Sequence, residues 1–596
     1  MRLQDSRRLP GPNVLSARPG ALVELVFSPE ECAAGPTPAT VRGAWRRELR
    51  GMLEALGWQD EVECTGEVMA MPDEASGARG LRLAFSAPLD ALYAATEVNE
   101  WALSAALGSL GAAVDGLSCP KGESFSAAVG RLRGVISAEA RPELLALREA
   151  AHARGLIFLS DDDQASVGAG CGARTFPVTE LPDVASFDFD QCHDIPHVTV
   201  TGTNGKSTTV RLLASMVQAA GLTPGLCSTD WIRIGDEIVD EGDWSGPGGA
   251  RHVLRDRRVD VALLETARGG LVRRGLALER SDLALVLNVG ADHLGDWGTP
   301  DLETLAEAKF IVTRGARRVV LNGDDSEVVA AAERLLSPEQ EIIWFGLDVH
   351  SAVLAKHLAR GGGAAYLVGE QLVLQRAAGG ETAGSGKPEP SVLAELGEVP
   401  MTMGGAARHN VANALAAVAA ADLMGLPAVA ISAGLRAFAS DPQDNPGRLN
   451  EFAVNGARVL VDFAPNPDGV SALCAMAAAL PAERRLILLG QAGDRDEASI
   501  RDMTRIVWDS RPDHIIIKEL PGHLRGRELG EIPAMIEDEL RRAGAVAANF
   551  SHAEDEPAAV EQALAWARAG DLVLLLTHEE RVAVLKRVAA AAVVGD

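Results

Sequence analysis

The chain has 596 residues and a net charge of −27, from 83 acidic and 56 basic side chains. That length calls for several domains; that charge argues against a nucleic acid or an anionic membrane as partner, while a local cluster of N–H groups could still hold a small phosphate ligand. Hydrophobic residues make up 47% and charged residues 23%, and the seven cysteines are odd in number with no C-x-x-C pair, so neither a disulfide framework nor a thiolate zinc site is indicated.

The opening "MRLQDSRRLPGPN" lacks the apolar core of a signal peptide. No stretch of the chain approaches the apolar length of a membrane span, so a cytoplasmic protein is expected. Residues 1–175 mix short apolar runs ("ALVELVFS", "LRLAFS") with alanine-rich helical stretches such as "EVNEWALSAALGSLGAAV". They read as an α+β domain, and residues 176–194 as a linker. From 195 to 445 strand-like runs alternate with helical ones. "HVTVTG", "VDVALLE", "LALVLNVG" and "ARRVVLNGDD" are short and rich in Val and Leu, which suits strands buried on both faces of a parallel sheet. The polar, glycine-rich "RAAGGETAGSGKPEP" is expected to join hairpin strands, and "SDPQDNPGRL" carries the turn residues of a linker. The alternation resumes over 446–596 with "ARVLVDF", "RLILLGQAGD", "HIIIKE" and "DLVLLLTHE".

The stretch "VTVTGTNGKSTTVRLL" turns from strand to helix through Gly202, Thr203, Asn204, Gly205, Lys206, Ser207 and Thr208. The strict G-x-x-x-x-G-K-[ST] pattern fails, because Val200 stands where its first glycine would be. Its physics survives. Gly202 and Gly205 permit a tight turn and close backbone approach. Successive N–H groups then face outward at a helix start, where the dipole also favours an anion. Lys206 adds a point charge for outer phosphates, and the Ser207 hydroxyl is placed for Mg²⁺. Val210, Leu213 and Val217 mark the inward helix face, and Gly221 is a natural stop.

The string GTNGKS resembles the phosphate turn of the Mur ligase family, and later strings agree in order and spacing. They are "LETARGG" with "LVRRGL", "NVGADHLGD", "LNGDD", "GGAARHNVANALAA", "GRLNEF", "DFAPNPDGV" and "QAGDRDE". "LETARGG", "NVGADHLGD" and "LRGRELGE" are similar to the cyanophycin-synthetase branch of that family. So are "GPNVLSARP" and "LLALREAAHARGLIFLSDDD" with "VGAGCGAR" in the first block. In that branch an ATP-grasp domain separates the two blocks; here only about 20 residues lie between "CGAR" and the phosphate turn. The resemblance implies an α/β fold with a Mur-ligase-like central P-loop domain, a Rossmann-like C-terminal domain and an α+β N-terminal domain.

What it implies chemically is an ATP-dependent amide ligase, which phosphorylates a carboxylate with ATP and lets an amine attack the acyl phosphate. Ser207, Glu265, His293 and Lys309 would then hold Mg²⁺. Lys309, sixteen residues beyond His293, stands at the spacing of a carbamylated lysine in the family. Asn410 and Asn413, in "HNVAN", resemble an adenine-contacting pair; the alternative is an N-cap followed by a core helix. Arg448 and Asp462 correspond to nucleotide contacts from the C-terminal domain. Arg268 could hold a substrate carboxylate in a fork, and Asp494 and Arg495 face the amine-substrate side by resemblance. One departure stands out. The family reads D-Y-A-H-N-P where this chain has Asp462-Phe463-Ala464-Pro465-Asn466-Pro467, losing a hydroxyl and an imidazole. Two readings of function follow: an active ligase, or a catalytically weak nucleotide-binding subunit that regulates or recruits in a peptide-polymer pathway. The expected partners are a small-molecule or peptide substrate, a second copy of the chain, and a separate ligase for the missing step.

Overall fold

The structure, a computed structural model, describes residues 1–58, 64–70, 78–120, 122–292, 294–295, 298–378 and 389–594. It divides into two compact units. The first comprises Met1–Gly202, Gly221–Val289 and Leu294–Ile342; the second comprises Thr203–Ala220, Gly290–His293 and Ile343–Asp596. Among the described residues, no helix is long and apolar enough to cross a membrane.

The first unit opens with an antiparallel sheet whose strands lie in the order Arg2–Leu9, Gly20–Phe27, Arg79–Ser86 and Cys64–Ala70. Along Gly20–Phe27 every second residue (Ala21, Val23, Leu25, Phe27) enters one core with Trp45, Leu49 and Leu103 of two helices, Pro38–Leu56 and Leu92–Ser109. That is the period-2 alternation of a strand, and Leu22 on its other face is buried too, in a smaller cluster. The intervening Glu24 is also buried, and it is satisfied by Arg7 at 2.8 Å and Arg82 at 2.7 Å.

The second part of this unit is a mixed sheet in the order Glu237–Glu241, Trp231–Ile234, Pro224–Cys227, Val261–Glu265, His197–Thr201, Ser281–Val286 and Ala316–Asn322. The last five strands are parallel to one another; Trp231–Ile234 is antiparallel to both of its neighbours. Every residue of Val261–Glu265 and His197–Thr201 is buried, as strands covered on both faces require.

In the second unit the helix Lys206–Ala219 buries Val210, Leu213 and Val217, and Gly221 follows it at φ 76°. Strands Gly363–Val368, Gln371–Gln375 and Ser391–Glu395 form an antiparallel meander. The loop expected to join the last two strands falls largely on 379–388, outside the described residues. The C-terminal sheet runs Asn450–Val454, Ala457–Asp462, Leu572–Leu576, Arg485–Leu489, His514–Lys518 and Phe550–Ala553, parallel throughout except for its first strand. Alternate residues feed separate cores. Leu486, Leu488, Val573 and Leu575 join one; Ile487, Leu489, Leu572 and Leu574 join the other.

The segment read as a linker, 440–449, is held rather than loose. Asn445 is fully buried, accepts from Arg211 at 2.8 Å and donates to Ser440 at 2.7 Å; Asn450 donates to the Ser440 carbonyl at 2.6 Å.

Candidate functional site

Gly202 is buried at the end of the first unit, and Thr203 to Thr208 belong to the second. Gly205 is the N-cap of the helix Lys206–Ala219, in the left-handed region at φ 85°, and no side chain caps that helix. A Cβ on Gly205 would come within 2.3 Å of Asn413 Oδ1, so glycine is required by both conformation and space. Ser207 and Thr208 are buried in the first turn. Lys206 Nζ donates to the Thr203 carbonyl at 3.1 Å, folding the ammonium back over the turn. An uncapped helix start with one lysine curled across it is a fitted seat for an anion.

Other parts of the second unit close around this turn. The Thr203 hydroxyl exchanges hydrogen bonds with the backbone of Gly290. A Cβ on Gly290 would collide with Asp468, in the first turn of the helix Pro467–Ala479. Asn413 donates to Asn410 at 3.2 Å, and Asn410 donates to the Met401 carbonyl at 2.9 Å. Neither is an N-cap: the helix Arg408–Leu423 starts after Ala407, which makes no side-chain cap bond. The capping alternative is therefore wrong, and both amides are buried side chains beside Gly205.

Asn466 pairs with Asn204 through two reciprocal amide bonds of 3.1 Å, and also accepts from Gly469 N at 2.9 Å as the N-cap of the next helix. Asn466→Ala is expected to cost about 1 kcal/mol through the lost cap. Asn466→Asp keeps the cap acceptor but loses the donor to Asn204. Denaturant midpoints together with nucleotide affinity separate the two roles: the alanine variant loses both, the aspartate variant mainly affinity.

Arg448 lies 5.2 Å from the centroid of the Phe463 ring, and that ring lies 5.5 Å from His578. Phenylalanine in place of the family's tyrosine thus sits against both a guanidinium and an imidazole, the latter tilted at 53°. Asp462 ends its strand partly buried. Desolvation pushes its carboxyl up to about 6, against the pull of Arg448 and backbone amides. At Asp462 the folded chain therefore keeps a proton between about pH 4 and 6 that the unfolded chain has released, so this group's contribution to stability falls as pH rises through that window. In Asp462→Asn that slope is expected to vanish in thermal melts from pH 4 to 7, and the variant to melt above wild type at pH 7.

Arg495 pairs with Asp292, and Asp494 pairs with Arg525. Nearby are polar groups that sequence reasoning passed over. Gln491 follows the strand Arg485–Leu489, and His578 and Glu579 follow Leu572–Leu576, at the carboxyl ends of neighbouring parallel strands. Among the described residues, Gln491 Nε2 and Glu579 Oε2 are buried without a hydrogen-bond partner, and the His578 ring lies against the Ala464 backbone. Burial, with Lys518 nearby, pulls the His578 imidazole well below its usual pKa, so it stays neutral. The available signal was a polar residue just beyond a wholly apolar strand of a parallel sheet, where ligands gather.

The first unit holds the remaining candidates. Glu265 is buried at its strand end and accepts from the Thr229 hydroxyl at 2.7 Å and Thr229 N at 3.4 Å. Arg268 donates to Thr299 at 2.8 Å. Between them, Ala267 N donates to the Ser245 carbonyl at 2.8 Å, which brings in the loop carrying Trp244. The Trp244 indole N–H is buried without a hydrogen-bond partner among the described residues. Lys309 is buried in the helix Leu302–Phe310. His293 lies outside the described residues. Among the described residues no three His, Cys, Asp or Glu side chains form a metal-binding group.

Residues 200–421 match the Mur ligase middle domain, and residues 447–577 match the Mur ligase glutamate ligase domain. The cyanophycin synthetase of Trichormus variabilis is 36% identical over 393 residues, covering 65% of this chain and 42% of that protein. The chain thus spans about two fifths of the length of the cyanophycin synthetases it matches. The UDP-N-acetylmuramoyl-L-alanyl-D-glutamate--2,6-diaminopimelate ligase of Geobacter metallireducens is 26% identical over 502 residues, 79% of this chain and 90% of that one. Among solved structures, E. coli FolC in complex with ADP aligns with a TM-score of 0.45 and 21% identity, over 67% of this chain and 90% of that chain.

Proposed function

The chain carries a Mur ligase middle domain and a Mur ligase C-terminal domain, and we propose that it is an ATP-dependent ligase joining a carboxylate to an amino acid or another small amine. The carboxylate oxygen takes the terminal phosphoryl group of ATP, releasing ADP. The amine nitrogen then attacks the acyl carbon, phosphate leaves, and the amine gives up a proton. The observation that carries this reading is the phosphate turn: a left-handed Gly205, a helix start free of any side-chain cap, and Lys206 laid across it.

In this reading the N–H groups of the first helical turn and the Lys206 ammonium bind phosphate oxygens. Asn410 and Asn413 meet the adenine, and Arg448 and Asp462 meet the nucleotide from the C-terminal side. Ser207 and Glu265 are oxygen donors, the kind Mg²⁺ prefers, so the donor set fits that ion; His293 and a carbamylated Lys309 complete the proposed set. When bound, Mg²⁺ supplies neutralisation of the phosphoryl charge. Arg268 and the Trp244 N–H orient the acceptor carboxylate. Arg495, Gln491, His578 and Glu579 receive the amine substrate, whose hydrogen bonds would satisfy Gln491 Nε2 and Glu579 Oε2. A small molecule or peptide is the substrate, and a separate ligase supplies any alternating backbone step.

The second reading, a nucleotide-binding subunit with weak turnover, draws on the 462–467 loop. Phe463 lacks a hydroxyl, and Pro465 follows Ala464, which holds a positive φ of 30°. The two are separated by measuring ADP release with Mg²⁺-ATP and amino acids paired with aspartyl peptides, followed by mass spectrometry of the product. A pair that triggers ADP release and yields an amide establishes the ligase. Nucleotide binding that no pair turns over favours the subunit.

A further inference from the structure

Asp292 and Arg495 both belong to the second unit, 203 residues apart, and meet as an ion pair whose side chains are only 17% and 13% exposed. Asp292 lies within the middle-domain match and Arg495 within the C-terminal one. The carboxylate side of the pair is anchored. Two residues before Asp292, Gly290 exchanges hydrogen bonds of 2.9 and 3.2 Å with the Thr203 hydroxyl of the phosphate turn. Gly290 also packs so tightly on Asp468 that a Cβ would collide with it.

The guanidinium side is held by its backbone. Arg495 N donates to the Ala492 carbonyl at 3.2 Å, the Arg495 carbonyl accepts from Arg527 at 3.2 Å, and the next residue, Asp496, is the N-cap of the helix Glu497–Asp509. Arg527 also donates to the Gly493 carbonyl at 3.0 Å, and Gly493 N donates to the His523 carbonyl at 2.9 Å. The loop 490–496 is thus laced to the loop 521–527. The second loop is tied in turn to Glu579, whose Oε1 accepts from Gly522 N at 2.8 Å. Arg495, Gln491 and Glu579 therefore stand on one braced set of loops, and Gln491, at 3% exposure, keeps a buried Nε2 with no hydrogen-bond partner among the described residues. The Arg495 charge also acts on the His578 imidazole, which puts it within electrostatic reach of that ring. Asp292 takes one corner of the fork. Among the described residues, Arg495 donates through Nη1 to Asp292 and makes no other side-chain hydrogen bond. The planar guanidinium carries five donors, so its Nε–Nη2 edge stays open for a carboxylate.

We infer that Asp292 is a positioning residue for the amine substrate: by holding the Nη1 corner of Arg495, it aims the open Nε–Nη2 edge at the carboxylate of an amino acid bound beside Gln491 and Glu579. The inference rests on the ligase reading above, in which Arg495 receives the amine, and adds to that site a residue from the other domain. The amine site is then complete only where the segment leading from the phosphate turn meets the loop 490–496.

The test is steady-state kinetics of the full chain with Mg²⁺-ATP and the pair of amino acid and aspartyl peptide that gives the fastest ADP release. Wild type is compared with Asp292→Asn, Arg495→Ala and the double variant. In Asp292→Asn the amine KM is expected to rise on the order of tenfold while the ATP KM moves by less than about threefold, as loss of one charge-assisted contact to a binding group requires. In the Arg495→Ala background the same substitution is expected to leave amine kcat/KM unchanged, because the group it positions is gone. Thermal melts confirm folding; should Asp292→Asn not fold, Asp292→Glu, which keeps the charge but moves the acceptor by one methylene, is expected to show the same selective rise. Three results overturn the inference and leave the ligase reading standing: an amine KM unmoved within about twofold, equal rises in both KM values, or an undiminished effect in the Arg495→Ala background. No ADP release from wild type with any pair overturns the ligase reading, and the inference with it.

Discussion

Lys206→Ala is expected to lower ADP formation by on the order of 10³-fold while leaving the melting curve nearly unchanged. The two halves of that expectation have different origins. Lys206 is only partly buried, and its amine folds onto the Thr203 carbonyl at 3.1 Å, so removing it opens no cavity in the core. The turn keeps its shape through other groups: Gly205 in its left-handed conformation, Thr209 bonded to the Gly205 carbonyl at 2.9 Å, and the Asn204–Asn466 pair. What disappears is the compact charge available to the outer phosphates, which backbone N–H groups alone cannot replace. Lys206→Arg should rescue little, because a planar guanidinium on a longer stem does not reproduce a point charge at that spot. Coupled ADP release and nucleotide titration on the same preparations decide the matter. Turnover retained to within tenfold in the alanine variant would remove the phosphate turn from the reaction.

Much of this architecture could be read from local signals. Leu572–Leu576 is apolar at every position and Val261–Glu265 at every position but its last, and burial on both faces is the environment that tolerates this. The phosphate turn is equally local, since two glycines and a lysine within six residues carry their geometry with them. Other features depend on partners far along the chain. Asn466 stands within the altered 462–467 stretch, and its amide meets Asn204, 262 residues away. The stretch 440–449 has the composition of a linker, yet Asn445 is buried within it against Arg211, and Asn450 just after it holds the Ser440 carbonyl. Asn410 had the residue type of a cap, but the helix had already begun at Arg408. Gln491, His578 and Glu579 escaped notice because nothing in their own neighbourhoods shows that two strand ends lie side by side.

The largest effect on stability is expected at Lys518. This lysine ends the strand His514–Lys518 with no exposed surface, and its stem packs so closely under Gly490 that a Cβ there would come within 2.5 Å of it. Its ammonium donates to Glu556 and to the Leu576 carbonyl. Glu556, the first residue of the helix Glu556–Trp566, is also buried, and it accepts from the backbone N–H groups of His578 at 2.7 Å and Glu580 at 2.8 Å. Burial works to raise the Glu556 carboxyl, but Lys518 and these amides hold it below its usual range. The contribution is thus present above the ordinary carboxyl pKa and lost as pH falls through the lower folded value. Lys518→Met leaves a buried carboxylate without its cation and is expected to cost about 3–5 kcal/mol. Adding Glu556→Gln should recover part of that loss, because the amide carries no charge to strand. The same carboxylate anchors the backbone of His578 and Glu579, so in a folded Lys518→Met chain the amine KM should rise more than the ATP KM. Urea midpoints for the two single variants and the double variant give the coupling energy. A loss below about 1 kcal/mol in Lys518→Met would mean that the pair neither holds the sheet end nor positions the loop beyond it.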